Sequence, residues 1–297
     1  MKRFAIAALI LLSVLACTKS NIQYEPTEEI SLQPVAEKAT KAAHTTTAYG
    51  EGAPAFNVWA WWGDVPENTS LLEFPSGAEM YLNKRPFGKD ENGNSWVGLD
   101  VPYFWPTRGS LVFAGYSPVS AKAQNFSYSW SSKTMTITAY EQSTDISKTV
   151  DLMWFDVTER SFTDNNNRNP QDVAVDGVPV VFKHLLSWLT FKFQKKDGAS
   201  SDYIVTDVTL LGIETKARFT SSPAVGNEEW SDQTEPKPVP VWSGSYPVTT
   251  EAVAKESTTA GVLVIPQPCT SEHVQLQVTY KTSQGGAEQT RDVYLTA

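Results

Sequence analysis

The sequence predicts an all-β protein, and three features of its 297 residues support this prediction. Short runs in which apolar and polar residues alternate recur along the chain. Clusters of Gly, Pro, Asn, Asp and Ser separate these runs. No helical period of apolar residues persists for two turns. Many short strands divided by turn-forming residues are typical of sandwiches and barrels, so we expect sheets throughout.

Three runs illustrate the strand pattern. Val274–Lys281 alternates apolar and polar residues, as a half-buried antiparallel strand does. Met135 and Ile137 alternate with threonines, and Phe56–Trp62 alternates while remaining apolar at several outward positions. The further strand-like runs are Leu111–Tyr116, Val150–Val157, Val178–Phe182, Leu189–Gln194, Val205–Ile213, Gly261–Ile265 and Arg291–Thr296.

The N-terminus predicts export. After the basic pair Lys2-Arg3, the stretch Phe4–Leu15 is apolar except for one Ser. About a dozen such residues are too few to span a bilayer but suit the core of a signal peptide. The core ends at Ala16 and Cys17, a small residue followed by a Cys that resembles a lipobox. We therefore expect a signal peptide over 1–16, cleavage between Ala16 and Cys17, and a diacyl anchor on Cys17.

Composition narrows the possible partners. The chain has 24 basic and 33 acidic residues, a formal net charge of −9. Nucleic acids and anionic membrane surfaces both require basic patches, so we expect no nucleic-acid partner. Once Cys17 is acylated, the other cysteine, Cys269, has no intramolecular partner for a disulfide.

Turn-forming segments suggest the domain organisation. Thr163–Asp172 lacks any large apolar side chain and contains three consecutive Asn, which favours a linker. We predict a lipidated segment over 17–50, an N-terminal domain over 51–173 and a C-terminal domain over 174–297. The acidic, Pro-rich stretch Asn227–Pro240 is interpreted as a long loop inside the second domain.

Residues that could support catalysis or bind a metal are sparse. The three histidines, His44, His184 and His273, show no metal-ligand spacing with one another or with Cys. His184 is interpreted as a hydrogen-bonded structural residue. We expect no enzyme activity, no catalytic residue, no cofactor and no metal site.

The aromatic run Trp59-Ala60-Trp61-Trp62 leaves three interpretations open. In a strand, Trp62 faces one side, while Trp59 and Trp61 face the other. The second face could be covered by a loop or neighbouring segment of the same chain. It could instead form a platform on which sugar rings stack, or accept a strand from another subunit.

Five local patterns resemble those of one family. They are Glu29–Leu32 with Ala39–Ala42, Phe56–Trp61, Tyr103–Pro106 with Leu111–Pro118, Val178–Phe191, and Leu263–Gln267. In this order they look like the fimbrillin family, the Mfa-like subunits and accessory proteins of type V pili. The resemblance covers nearly the whole chain after the signal peptide.

The resemblance implies two tandem transthyretin-like β-sandwich domains and a mechanism of assembly. A lipidated precursor reaches the outer membrane, and a protease cuts after a basic residue, here at Lys41–Ala42. The strand Ile30–Val35, with Ile30, Leu32 and Val35 as its apolar residues, would then leave a groove for a neighbouring subunit's strand. The implied partners are other pilus subunits, the outer membrane through the anchor, and a host protein or glycan.

One departure from the family affects the expected role. Fimbrillins usually continue past the strand that corresponds to Arg291–Leu295 into a further strand, so we expect the second domain to lack its last strand. A tip or anchor subunit of a fimbrium is then favoured over a stalk subunit. The alternative function is a non-polymerising surface lipoprotein that binds glycans through exposed Trp59 and Trp61.

Overall fold

The computed structural model describes most of the chain. The described residues are 24–36, 54–65, 70–73, 77–93, 95–121, 125–161, 177–199, 201–221, 229–248, 261–268, 273–283 and 285–295.

These residues form seventeen strands, and the prediction of an all-β protein is confirmed. In chain order the strands are β1 Tyr24–Glu29, β2 Leu32–Ala36, β3 Phe56–Gly63, β4 Glu79–Lys89, β5 Trp96–Gly98, β6 Phe104–Pro106, β7 Ser110–Ser117, β8 Phe126–Ser129, β9 Thr134–Glu141, β10 Met153–Ser161, β11 Val178–His184, β12 Ser187–Leu189, β13 Tyr203–Thr220, β14 Glu229–Val248, β15 Val262–Val264, β16 Gln275–Thr282 and β17 Gln289–Tyr294.

A closed barrel contains the strands β10, β11, β2, β5, β4, β3 and β7, in that order around the wall. Its interior is a cluster of apolar side chains that includes alternate residues of β3, namely Phe56, Val58, Ala60 and Trp62. This alternation follows the two-residue period of a strand, in which successive side chains point to opposite faces. Closure leaves the barrel wall with few free edges.

A six-stranded sheet forms the rest of the fold, with the strand order β17-β16-β13-β9-β8 and β14 paired to β13. The long strand β13 pairs with β14 along its length, with β16 over Tyr203–Leu211 and with β9 over Lys216–Thr220. Met135 and Ile137 of β9 are 1% and 0% exposed, as the alternation of this run predicted. Two further pairs, β1 with β6 and β12 with β15, complete the described sheets.

The Pro-rich stretch Asn227–Pro240 was predicted as a loop, and this prediction is wrong. From Glu229 onward these residues are part of β14, where Pro236 lies opposite Glu214 and Pro240 opposite Thr209. Among the described strands, β14 pairs only with β13. A proline is tolerated on such an edge strand, because its missing N–H costs no hydrogen bond on the unpaired side.

The predicted strand Leu189–Gln194 is wrong beyond its first residue. β12 ends at Leu189, and its partner β15 is only three residues long, so the ladder has no partner residues with which to continue. Phe191 and Phe193 nevertheless pack against the core of the six-stranded sheet.

The division near residue 173 remains a prediction, and two sets of pairings cross it. β11 follows the predicted linker yet pairs with β10 and β2 in the barrel. β8 and β9 precede the linker yet pair into the six-stranded sheet. A cluster of buried side chains lies between the barrel and this sheet, and it includes Trp59, Trp154, Ile137 and Phe219.

Candidate functional site: the N-terminal strand of the barrel

The strand predicted to be exchangeable forms part of the barrel wall. β2 lies parallel to β11, with Leu32 opposite Val178 and Ala36 opposite Phe182. On its other side it meets β5 through a single antiparallel pair, Leu32 and Trp96. All other described strand pairs are antiparallel. The N-terminal segment therefore closes the barrel between two strands that are distant from it in sequence.

The side chains of this segment alternate between the core and solvent. Ile30 and Leu32 are both 0% exposed and belong to the apolar cluster inside the barrel. Pro34 is also buried, whereas Val35 is 43% exposed on the outer surface. Full burial of an aliphatic side chain contributes about 1.5–3 kcal/mol, so Ile30 and Leu32 are the main anchors of the segment.

Backbone hydrogen bonds extend the attachment beyond β2. The N–H of Ile30 donates to the carbonyl of Tyr103 at 2.7 Å, and the N–H of Val178 donates to the carbonyl of Ser31 at 2.9 Å. Upstream, β1 pairs antiparallel with β6, with Tyr24 opposite Pro106. The N-terminal segment thus adds strands to two separate sheets.

Gly177 allows the close approach of the N-terminal segment to β11. Its φ of +137° is a conformation that L side chains rarely adopt. A Cβ at this position would lie 2.8 Å from the carbonyl carbon of Leu32 and 2.9 Å from that of Ser31. Only a residue without a side chain fits here while β2 occupies the barrel.

An aromatic cluster lies inside the barrel beside β2. Phe56 packs against Trp96 of β5 with ring centroids 5.4 Å apart, and against Phe182 of β11 at 5.2 Å. Phe155 and Phe182 meet edge to face at 4.9 Å. Since Trp96 and Phe182 belong to the two strands that flank β2, removal of β2 would uncover an apolar, largely aromatic groove.

Several residues predicted to take part in processing lie outside the described residues. They are Ala16 and Cys17 at the expected lipidation site and Lys41 and Ala42 at the expected protease site. Ile30, Leu32 and Val35 are the members of the predicted site that the structure places. Leu32 and Val35 lie in β2 opposite β11, whereas Ile30 precedes β2 and bonds through its N–H to Tyr103.

Trp59 and Trp61 do not form an exposed sugar platform, so that interpretation of the aromatic run is wrong. Their exposures are 3% and 2%. The ring of Trp61 lies 4.8 Å from that of Tyr128 and 5.1 Å from that of Trp130, both supplied by β8 and the turn after it. The second face of β3 is therefore covered by a neighbouring segment of the same chain.

The described residues contain no group of three or more His, Cys, Asp or Glu side chains placed to hold a metal ion. His184 lies at the end of β11, with its Nδ1 2.8 Å from Oδ2 of Asp151. This contact links β11 to the residues just before β10. Within the same described ranges, no helix is long and apolar enough to cross a membrane.

Sequence reasoning missed the parallel partner of the N-terminal strand. It placed Val178–Phe182 in a different domain, although the apolar run Val178, Val180 and Phe182 is part of the barrel core. The one available signal was Gly177 directly before this run, because an isolated Gly beside a strand often marks a close backbone approach.

Comparisons with known proteins identify a family and several similar structures. No curated protein sequence matches the chain. Among solved structures, a candidate cell adhesion protein from Bacteroides ovatus is similar at 13% identity and a TM-score of 0.45, covering 90% of this chain and 86% of that one. A candidate cell adhesion protein from Parabacteroides distasonis has 14% identity and a TM-score of 0.48, covering 89% and 79%. The fimbrillin-like family matches residues 40–293, and the chain therefore belongs to the fimbrillin-like family.

Proposed function

We propose that this protein is a non-catalytic structural or accessory component of a type V pilus, exported as an outer-membrane lipoprotein and assembled by strand exchange. In this proposal the lipid on Cys17 anchors the precursor. Cleavage at Lys41–Ala42 frees β1 and β2, and a strand from another pilus subunit takes their place. Contact with a host protein or glycan would follow from its position on the fimbrium.

The observation that carries the proposal is the way β2 completes the barrel wall between β11 and β5. Its attachment combines backbone ladders with the buried side chains of Ile30 and Leu32, which is how an added strand is recognised. The pairing with β5 is a single residue pair, so one side of β2 has a short ladder to break. A donor strand with apolar residues at alternate positions would restore the same contacts.

We retain the two tandem transthyretin-like domains as part of the proposal. The barrel cluster around Phe56 and the six-stranded-sheet cluster around Val208 would be their two cores. The strands β8 and β9, which pair with β13, would then hold the two domains together.

The test is strand replacement in the folded precursor. The protein from residue 18 onward is treated with trypsin until the chain is cut at Lys41, and a fluorescent peptide of the sequence 24–36 is added in excess. We expect the cut protein to incorporate the peptide, as measured by co-elution in gel filtration. The uncut protein should not incorporate it.

A matched peptide provides the control. An Asp in place of Leu32 would bury a charge in the barrel core at a large desolvation cost. This peptide should therefore not be incorporated into the cut protein. Equal incorporation of both peptides, or none of the unaltered peptide after complete cleavage, would contradict the strand-exchange proposal.

A further inference from the structure

A cleft on the six-stranded sheet has the composition of a sugar-binding site. It has a volume of about 600 Å³ and lies between β13, β14 and the turn that follows β9. Its lining includes Trp242, Pro240 and Ser243 of β14, Asp207 of β13, and Thr144 and Asp145 of the turn. Pockets of roughly 300–1,000 Å³ are the usual size for small-molecule sites.

Trp242 provides an apolar wall that is held in place. Its ring meets that of Tyr246 edge to face, with centroids 6.3 Å apart and an interplanar angle of 83°. Gly244 lies against the same indole, because a Cβ there would be 2.9 Å from Cζ2 of Trp242. The indole is half-buried, and it is therefore both fixed and accessible from the cleft.

Asp207 is brought into the cleft by irregular pairing. In the ladder of β13 with β14, Asp207 lies opposite Ser243, and the register shifts on both sides of Asp207 and Val208. Bulges of this kind re-aim side chains. The hydroxyl of Thr209 donates to Oδ1 of Asp207 at 3.0 Å, which leaves further acceptor capacity on a carboxylate that has about four lone-pair sites.

The charges in the cleft disfavour an anionic ligand. Asp145 is bound by Lys148, with Nζ 3.0 Å from Oδ2, and its Oδ1 accepts from the N–H and the hydroxyl of Ser147. Asp207 adds a second carboxylate, so phosphate, sulfate and carboxylate groups would be repelled. Hydroxyl groups can donate to these carboxylates and also exchange hydrogen bonds with Thr144 and Ser243.

We propose that this cleft binds a neutral saccharide, with a sugar ring stacked on Trp242 and its hydroxyls donating to Asp207. A sugar ring combines an apolar C–H face with hydroxyls at its rim, which matches an indole beside carboxylate and hydroxyl groups. A second cleft of about 580 Å³ shares Thr144 with the first and gives room for further sugar units. The site differs from the buried pair Trp59 and Trp61, and it does not depend on strand exchange.

The experiment is saturation-transfer NMR on the folded protein from residue 18 onward. The probes are trisaccharides of glucose, galactose, mannose and N-acetylglucosamine, with a sulfated trisaccharide and choline for comparison. We expect transfer to at least one neutral trisaccharide and none to the sulfated one. No transfer to any neutral probe, or binding of choline or the sulfated probe alone, would overturn the proposal.

Three variants locate the site. Trp242→Ala and Asp207→Asn should each weaken binding about tenfold or more. The first removes the aromatic contact, and the second removes the charge of the hydrogen-bond acceptor. Asp207→Asn keeps the shape of the side chain and an acceptor for Thr209, so it remains informative if Trp242→Ala does not fold. Trp130→Ala removes a half-buried Trp outside the cleft lining and should bind like the parent. Unchanged binding by Asp207→Asn, or equal loss in Trp130→Ala, would refute this location.

Discussion

Gly177 and Leu32 approach so closely that the backbone of Leu32 occupies the space that a side chain on residue 177 would need. A Cβ on Gly177 would lie 2.8 Å from the carbonyl carbon of Leu32. The contact ties the residue before β11 to the strand proposed to leave the barrel, and its consequences can be measured.

The first prediction concerns Gly177→Ala. The added Cβ clashes with the N-terminal segment, and a backbone strain of about 1–3 kcal/mol accompanies a φ of +137° for a residue other than Gly. We expect a lower melting temperature for the precursor, by several degrees, in differential scanning fluorimetry. The penalty should shrink after cleavage at Lys41 and loss of the strand. An equal penalty before and after cleavage would show that Leu32 plays no part.

The second prediction compares two apolar residues of β2. Leu32 is 0% exposed and Val35 is 43% exposed. Leu32→Ala should lower the free energy of unfolding of the precursor by about 2–5 kcal/mol through lost burial and a cavity. Val35→Ala should change it by no more than about 0.5 kcal/mol, as exposed substitutions usually do. Urea denaturation measures both values, and similar costs for the two variants would contradict the assigned facing of β2.

The third prediction is a dependence of stability on alkaline pH. Burial raises the pKa of Tyr116 to about 12, although the hydrogen bond from Nδ2 of Asn57 at 2.9 Å acts in the opposite direction. The unfolded tyrosine loses its proton near pH 10, while the folded one keeps it, so stability present below pH 10 is lost as pH rises toward 12. Tyr116→Phe should make this decline shallower in urea titrations between pH 9 and 12.

The same variant has a cost at neutral pH. Tyr116→Phe leaves the buried amide of Asn57 without its hydroxyl partner, and such a loss costs about 1–3 kcal/mol. The control is Tyr294→Phe, because Tyr294 is 52% exposed and water can bind any group that loses contact with its hydroxyl. An unchanged pH profile in Tyr116→Phe would exclude this tyrosine as the titrating group.

The fourth prediction tests the anchor. Cys17→Ala removes the thiol that would carry the diacyl group, and two acyl chains are needed for stable attachment. We expect the variant to leave the membrane fraction, or to accumulate as an uncleaved precursor, in fractionated cells. Cys269→Ala is the matched control and should stay in the membrane fraction. Normal maturation and membrane partition of Cys17→Ala would refute lipidation.

The sequence predicts the strands well because a two-residue period is a local property. It does not predict what covers a strand whose two faces are both apolar. For β3, the answer depends on Tyr128 and Trp130, which are far away in sequence and meet Trp61 only in the folded chain. Composition also misled at β14, where Pro236 and Pro240 favour a loop locally but are tolerated beside β13.

The candidate site could be predicted only in part. The alternation of Ile30 and Leu32 marks them as inward residues, and the structure places both in the barrel core. The parallel partner of β2, β11, was missed because parallel pairing leaves no hairpin signal between the two strands. The Trp242 cleft was missed for a similar reason: it combines residues from three segments that only the sheet brings together.

The parallel pairing of β2 with β11 also determines when the barrel closes during folding. About half of the chain lies between Leu32 and Val178, so their contact has a large loop-closure entropy and a high contact order. A chain made from its N-terminus releases β2 early, but the strand has no parallel partner until β11 follows. We therefore expect β2 to dock after the antiparallel wall of β10, β7, β3 and β4 has formed. β2 is then both the last strand to join the barrel and the strand whose removal would leave the pairing of β10, β7, β3 and β4 unchanged.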